Sequence, residues 1–109
     1  TGQLVKGFHV TFKDGRVVEH GADEGAELLG LIRVVGDGQT IVFVQDLLVF
    51  PEYQRKGIGS ALLRAVLKRY ENVRQIMLAT DDTPKTKAFY RSMGFRELSE
   101  IGCCGFMLV

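Results

Sequence analysis

Hydrophobic and polar positions change their period along the chain, and each change marks an element. From Leu4 to Phe12 the alternation is loose and of period two, Lys13-Asp14-Gly15 is a hairpin signal, and Arg16 to His20 reads as the return strand. Gly21 to Glu27 is a loop by composition, and the apolar run from Leu28 to Val35 predicts a largely buried strand. Gly36 to Gly38 turns the chain. The strand Thr40 to Phe50 then returns antiparallel, because so short a connection cannot cross over, and Pro51 ends it.

From Ile58 the period becomes helical. Ile58, Leu62, Val66 and Tyr70 share one face, Leu63 and Leu67 widen it, and Arg64, Lys68 and Arg69 lie opposite. Gln75 to Thr80 is a short strand, expected parallel to Thr40 to Phe50 because a helix now joins the two. Thr83-Pro84 opens a second helix and Gly94 stops it. Phe95 to Leu98 and Gly105 to Val109 are expected as closing strands around a loop at Ser99 to Gly102. Without repeat or linker, residues 1–109 read as one α/β domain, a central mixed sheet with flanking helices.

Composition narrows what such a domain does. With 46% hydrophobic and 25% charged residues, the chain has the make-up of a soluble folded protein. The 14 Lys and Arg against 13 Asp and Glu leave a net charge of +1, so no global field attracts nucleic acid or anionic lipid, and any basic site is local. No apolar run approaches the ~20 residues of a membrane span, and the first residues lack the order of a signal peptide, so a cytoplasmic protein is expected. Cys103 and Cys104 are adjacent, cannot easily bridge each other and lack the separated pairs of a zinc site. They read as reduced strand residues, and no metal is expected.

The chemistry concentrates where the long strand gives way to the first helix, in "VFPEYQRKGIGSALL", Val49 to Leu63. A helix that starts at a strand end directs unpaired N–H groups and a positive dipole end at one point, where anions bind. Gly57 and Gly59 let a phosphate approach the main chain without meeting a Cβ, and Gln54, Arg55 and Lys56 add donors or positive charge. No Gly-Lys-Ser/Thr follows and no three-glycine dinucleotide fingerprint is present. The residues alone leave a tight turn with a solvated basic pair equally open.

"QRKGIG", Gln54 to Gly59, together with the preceding "VFPEYQ" and the later "KAFYRSMGF", Lys87 to Phe95, resembles the GNAT superfamily of acyl-CoA-dependent N-acyltransferases. The core pattern there is Gln/Arg-x-x-Gly-x-Gly/Ala after a strand. The resemblance covers roughly residues 27–95 and implies that family's fold, with acetyl-CoA as cosubstrate and an amine as acceptor. It implies that the amides of Arg55, Lys56, Gly57, Ile58, Gly59 and Ser60 hold the pyrophosphate, and that the pantetheine arm lies along main-chain groups near Leu48 and Val49, where the central strands splay at a bulge.

Tyr90 matches the family tyrosine that often sits near the cofactor sulfur and protonates the departing thiolate. A phenol near pKa ~10 is protonated at neutral pH, and a thiolate whose acid is near ~8.5 accepts its proton. A ring packed on the sheet is the other reading of Tyr90. An ammonium near pKa ~10 must lose a proton before it attacks, and Asp46, the carboxylate inside the central strand, is the candidate base. A structural carboxylate at the splay is the alternative. The family's frequent Asn and Ala before the tyrosine are Thr83 and Thr86 here. The one or two helices the family places after its first strand have no convincing counterpart, so they are expected to be short or missing.

The acceptor is expected to be a small-molecule amine, because no acidic or basic docking tract is present. The alternatives are a CoA-binding or oligomeric module without catalysis, and a nucleotide-phosphate binder using the same turn. A homodimer is expected from the apolar edge that "GCCGFMLV" would give a sheet.

Overall fold

The computed structural model describes residues 9–13, 17–24 and 27–109, with side chains from Leu29 onward. Two compact units follow each other along the chain, Thr1–Ala79 and Thr80–Val109.

The first unit contains β1 (His9–Lys13), β2 (Val17–Glu24), β3 (Glu27–Gly36), β4 (Ile41–Val49), α1 (Ile58–Arg69) and β5 (Gln75–Leu78). They form a five-stranded sheet in sequence order, antiparallel from β1 to β4, with β5 parallel to β4 after the α1 crossover. The mixed sheet and the parallel placement of β5 follow the sequence expectation. Leu4 to Phe8 and the turn residues Asp14 to Arg16 lie outside the described residues. Among the described residues no α-helix precedes α1.

The loop expected at Gly21 to Glu27 is corrected. β2 runs on to Glu24, with Gly21 opposite Leu31, Ala22 opposite Gly30, Asp23 opposite Leu28 and Glu24 opposite Glu27. Ladder hydrogen bonds with β3 override a local composition of Gly, Ala and Asp, which is a weak signal against a strand already paired on one side. The β3–β4 connection is held by Asp37. Its carboxylate accepts the N–H groups of Gln39 (2.9 Å), Thr40 (2.7 Å) and Ile41 (3.1 Å) and the Thr40 hydroxyl. Gly36 is required beside it, since a Cβ there would stand 2.1 Å from the Ile41 carbonyl oxygen.

The core lies between α1 and one sheet face. Ile58, Leu62, Leu63, Val66 and Tyr70 from the helix and Ile32, Val34, Val42 and Val44 from β3 and β4 are all buried. Each fully buried aliphatic side chain contributes about 1.5–3 kcal/mol, so this stripe fixes where α1 begins relative to the end of β4. Truncating Leu62, which has no exposed surface, to Ala would cost about 2–5 kcal/mol.

The second unit contains α2 (Pro84–Ser92) and a 3₁₀ turn, Leu98–Ile101. Thr83 caps α2 by accepting the Thr86 N–H at 3.3 Å, Pro84 occupies its first turn, and Gly94 follows it with φ of 98°. These are the start and stop the sequence predicts. The closing strands do not form. Glu97 and Glu100 make a reciprocal capping box, with the Glu97 N–H donating to Glu100 at 2.9 Å. Local side-chain bonds thereby take the backbone groups a strand would need. Gly102 ends the turn with φ of 78°, and residues 103–109 carry no regular secondary structure. Cys103 and Cys104 are therefore free, exposed thiols outside any strand. Phe106, Leu108 and Val109 are exposed, so the apolar sheet edge expected from this segment is absent as well.

Candidate functional site

The end of β4 is shaped by a bulge. The β3–β4 register pairs Val34 with Val44 but Arg33 with Asp46, so Gln45 is the extra residue. An inserted residue inverts the alternation of faces. Val42 and Val44 point into the core under α1, whereas Asp46 shares with Arg33 the face turned away from it. The last β4–β5 pair is Val44 with Leu78, so from Gln45 to Val49 the β5 side of β4 has no strand neighbour among the described residues. β4 thus runs on past the end of β5, at the place where the resemblance expects the central strands to splay.

The free edge carries particular groups. The Phe50 N–H donates to the Leu29 carbonyl at 3.1 Å, and alternation along an antiparallel ladder then turns the main-chain groups of Leu48 toward β3 and those of Leu47 and Val49 to the open side. Gly30 permits the approach of the two strands, because a Cβ there would lie 2.6 Å from the Leu48 carbonyl oxygen. Of the expected pair, Val49 offers its main chain at the splay. Leu47, absent from the sequence expectation, offers the other.

Beyond β4 a 3₁₀ turn, Pro51–Tyr53, leads into residues 54–57. The Gln54 side chain donates to the Val49 carbonyl at 3.1 Å and ties the turn to the strand end. Arg55 has φ of 65° and Gly57 has φ of 78°. Left-handed residues of this kind are found in the concave turns whose successive N–H groups bind anions. The N-cap of α1 is Gly57, with no side-chain cap and no acidic residue in the first turn. Among the described residues the amides of Arg55 to Ser60 donate to no backbone acceptor; the first capped bond is Ala61 N–H to the Gly57 carbonyl at 3.0 Å. A helix of this length normally recruits Ser, Thr, Asp or Asn to satisfy such donors, and α1 leaves them bare at the positive end of its dipole.

The side chains around the cradle are exposed. Lys56 Nζ lies 5.6 Å from the centroid of the Tyr53 ring, which holds its charge close to the turn. Gly57 and Gly59 separate in role. Gly57 answers a backbone requirement, while Gly59 sits in the first turn of α1 with ordinary helical backbone, where glycine costs about 1 kcal/mol against alanine.

Asp46 has a partner. Arg33 Nε and Nη2 both donate to Asp46 Oδ2, at 2.9 and 2.7 Å, and the two side chains keep 43% and 40% of their surface. The carboxylate is thus half-exposed and ion-paired. Arg33 was not among the candidates, although a single cation in the apolar run Leu28 to Val35 and a single carboxylate in the facing strand were both visible.

Tyr90 belongs to the second unit. Its half-buried ring meets Phe89 and Phe95 edge to face, with centroids 5.0 and 5.8 Å away, and burial raises its phenol above the ordinary value. The hydroxyl is protonated throughout the neutral range. Lys87 on the same helix is bound to Asp82 at 2.6 Å, which raises the ammonium and lowers the carboxyl.

Comparison with known proteins places this geometry. The model of the acetyltransferase (GNAT) domain matches residues 7–97, running through both units. An acetyltransferase of the GNAT family from Streptococcus pneumoniae is 47% identical, covers 87% of this chain and 72% of its own, and superposes with a TM-score of 0.82. An inferred acetyltransferase of Gibberella zeae is 32% identical over 89 residues, 79% of this chain and 49% of its own length. An aminoglycoside acetyltransferase from an uncultured soil metagenomic sample, solved with sisomicin, shares the fold at a TM-score of 0.71 and 17% identity, over 95% of this chain and 78% of its own. The chain spans about half or less of the curated relatives it matches. No helix among the described residues is long and apolar enough to cross a membrane.

Proposed function

This chain belongs to the GNAT acetyltransferase family, and we propose that it transfers the acetyl group of acetyl-CoA to a primary amine of a small molecule. The observation that carries the reading is the bare N-terminus of α1. Among the described residues the amides of Arg55 to Ser60 meet no backbone acceptor and lie beside two left-handed residues, a donor set that fits a pyrophosphate, with Arg55 and Lys56 near enough in sequence to add charge. Acetyl-CoA supplies the thioester. The outward main-chain groups of Leu47 and the Val49 N–H suit the amides of an extended arm, with the Val49 carbonyl shared with Gln54, and the strand edge past Val44 gives that arm a place beside β4.

In the reaction the neutral amine nitrogen attacks the thioester carbonyl, the C–N bond forms, and the C–S bond breaks. The nitrogen loses a proton and the departing sulfur gains one. Tyr90, protonated at neutral pH, is assigned as donor to the sulfur, and Asp46 as the carboxylate that handles the amine. A small-molecule acceptor agrees with the absence of an acidic or basic docking tract in the sequence and with the amine-rich ligand of the metagenomic fold relative.

The test is thiol release from acetyl-CoA by the purified protein offered a panel of primary amines, with calorimetric titration of CoA and ATP alongside. Amine-dependent thiol release with CoA bound in preference to ATP is expected. CoA binding without thiol release leaves a binding module, and preference for ATP sinks the reading.

A further inference from the structure

The Arg33–Asp46 pair has unused capacity on both sides. Both guanidinium bonds converge on Asp46 Oδ2. Among the described side chains Asp46 Oδ1 accepts nothing and Arg33 Nη1 donates to nothing, and both groups are half-exposed; on the β2 side the register partner of Arg33 is Glu19. The bulge at Gln45 puts this pair on the sheet face opposite α1, two positions past the last β4–β5 bond. Leu48, 55% exposed, follows two residues later and stands opposite Leu31 on that face.

We propose that this pair reads the acceptor as a zwitterion, so that the small-molecule amine is a free α-amino acid. The inference rests on the acetyltransferase reading and deepens it. Among the described side chains, a guanidinium with an open Nη1 beside a carboxylate with an open Oδ1 presents one cation and one anion within a single contact. An α-amino acid carries the complementary pair, carboxylate and amino group, on adjacent bonds. Its carboxylate takes the open N–H groups of Arg33, the geometry for which a planar guanidinium is suited. Its amino group meets Asp46 Oδ1, and an apolar side chain has Leu48 to lie against. An amine without a carboxylate satisfies Asp46 and leaves Arg33 unanswered.

The experiment uses matched probes, L-phenylalanine against phenethylamine and L-leucine against isoamylamine, in the thiol-release assay and in NMR titrations of the CoA-bound protein. In the wild type each amino acid should exceed its decarboxylated partner in kcat/KM by about tenfold or more, the size a charge-assisted contact reaches. Arg33→Gln should erase that advantage through KM, with the plain amines losing less than the amino acids although Asp46 loses its partner in both cases, and Arg33→Lys should restore part of it. Asp46→Asn should weaken both members of each pair. If Arg33 only supports the fold, Arg33→Gln lowers amino acid and amine alike, which overturns the proposal. So does a wild type that favours the plain amines, or one in which neither L-amino acid moves the Arg33 and Asp46 amide resonances. A protein that binds CoA and acetylates amines without this preference refutes the acceptor class alone; one that binds no CoA refutes the acetyltransferase reading with it.

Discussion

The Gln54 side-chain amide donates to the main-chain carbonyl of Val49 at 3.1 Å, so the open edge of β4 is partly satisfied by the turn that follows it. A ligand amide that seeks this carbonyl must displace Gln54. Gln54→Ala is therefore expected to lower stability by about 1 kcal/mol or less, the net value of one exposed hydrogen bond, without weakening CoA more than about twofold. Chemical denaturation and calorimetric titration measure the two effects. A large loss of CoA affinity would make Gln54 a direct ligand donor.

The two cradle glycines should respond in opposite ways. Gly57 has φ of 78°, and any substitution there strains the backbone by about 1–2 kcal/mol. Gly59 lies in ordinary helix, so Gly59→Ala should stabilise the fold by up to about 1 kcal/mol. The same methyl group would stand where a phosphate approaches the amides, and CoA affinity should fall about tenfold or more. A Gly59→Ala protein that is more stable and binds CoA as the wild type does would remove the cofactor role of this residue.

How much of this was legible in the sequence differs by element. The start of α1 was readable because an apolar stripe, a proline and two glycines all mark it, and each acts locally. The Arg33–Asp46 pair was not. Counting back from the Gly36 to Gly38 turn, an uninterrupted ladder sets Arg33 opposite Gln45, and only the bulge moves it to Asp46. A bulge is decided by packing on both strands, which no period in one strand records. The closing segments failed for the converse reason. Phe95 to Leu98 begins and ends on an apolar residue, but the Glu97 and Glu100 carboxylates satisfy their own turn first.

Asp37 should shape the acid limb of stability. Three N–H groups and the Thr40 hydroxyl hold its carboxyl far below the ordinary carboxylate range in the folded protein. A folded value below the unfolded one gives stability that is complete above the unfolded pKa of ~4 and fades as pH falls toward the folded value. Asp37→Ala should therefore be less stable than the wild type at pH 7, with the gap closing below about pH 4. Asp82 and Glu100 are also lowered and titrate in the same sense, so the comparison of urea midpoints between variant and wild type isolates Asp37. A gap that stays constant down to pH 2 would show that the turn does not depend on the ionised form.

Substitution of Tyr90 tests whether the chain turns over by the proposed route or only binds. Burial raises its phenol above the ordinary value, so the proton remains in place through neutral and moderately alkaline pH. The ring itself packs between Phe89 and Phe95, and Tyr90→Phe keeps those edge-to-face contacts while deleting the proton. If Tyr90 protonates the departing sulfur, kcat should drop by about 10²–10⁴-fold with the CoA dissociation constant almost unchanged. In the wild type, kcat should show no loss of this acid until pH passes the ordinary phenol value of ~10, and the remaining activity of Tyr90→Phe should lack that alkaline fall. Both are measured with the best amine found in the panel, using CoA titration for affinity. Full turnover in Tyr90→Phe would mean that water protonates the thiolate, and that the position is occupied by an aromatic ring for packing alone.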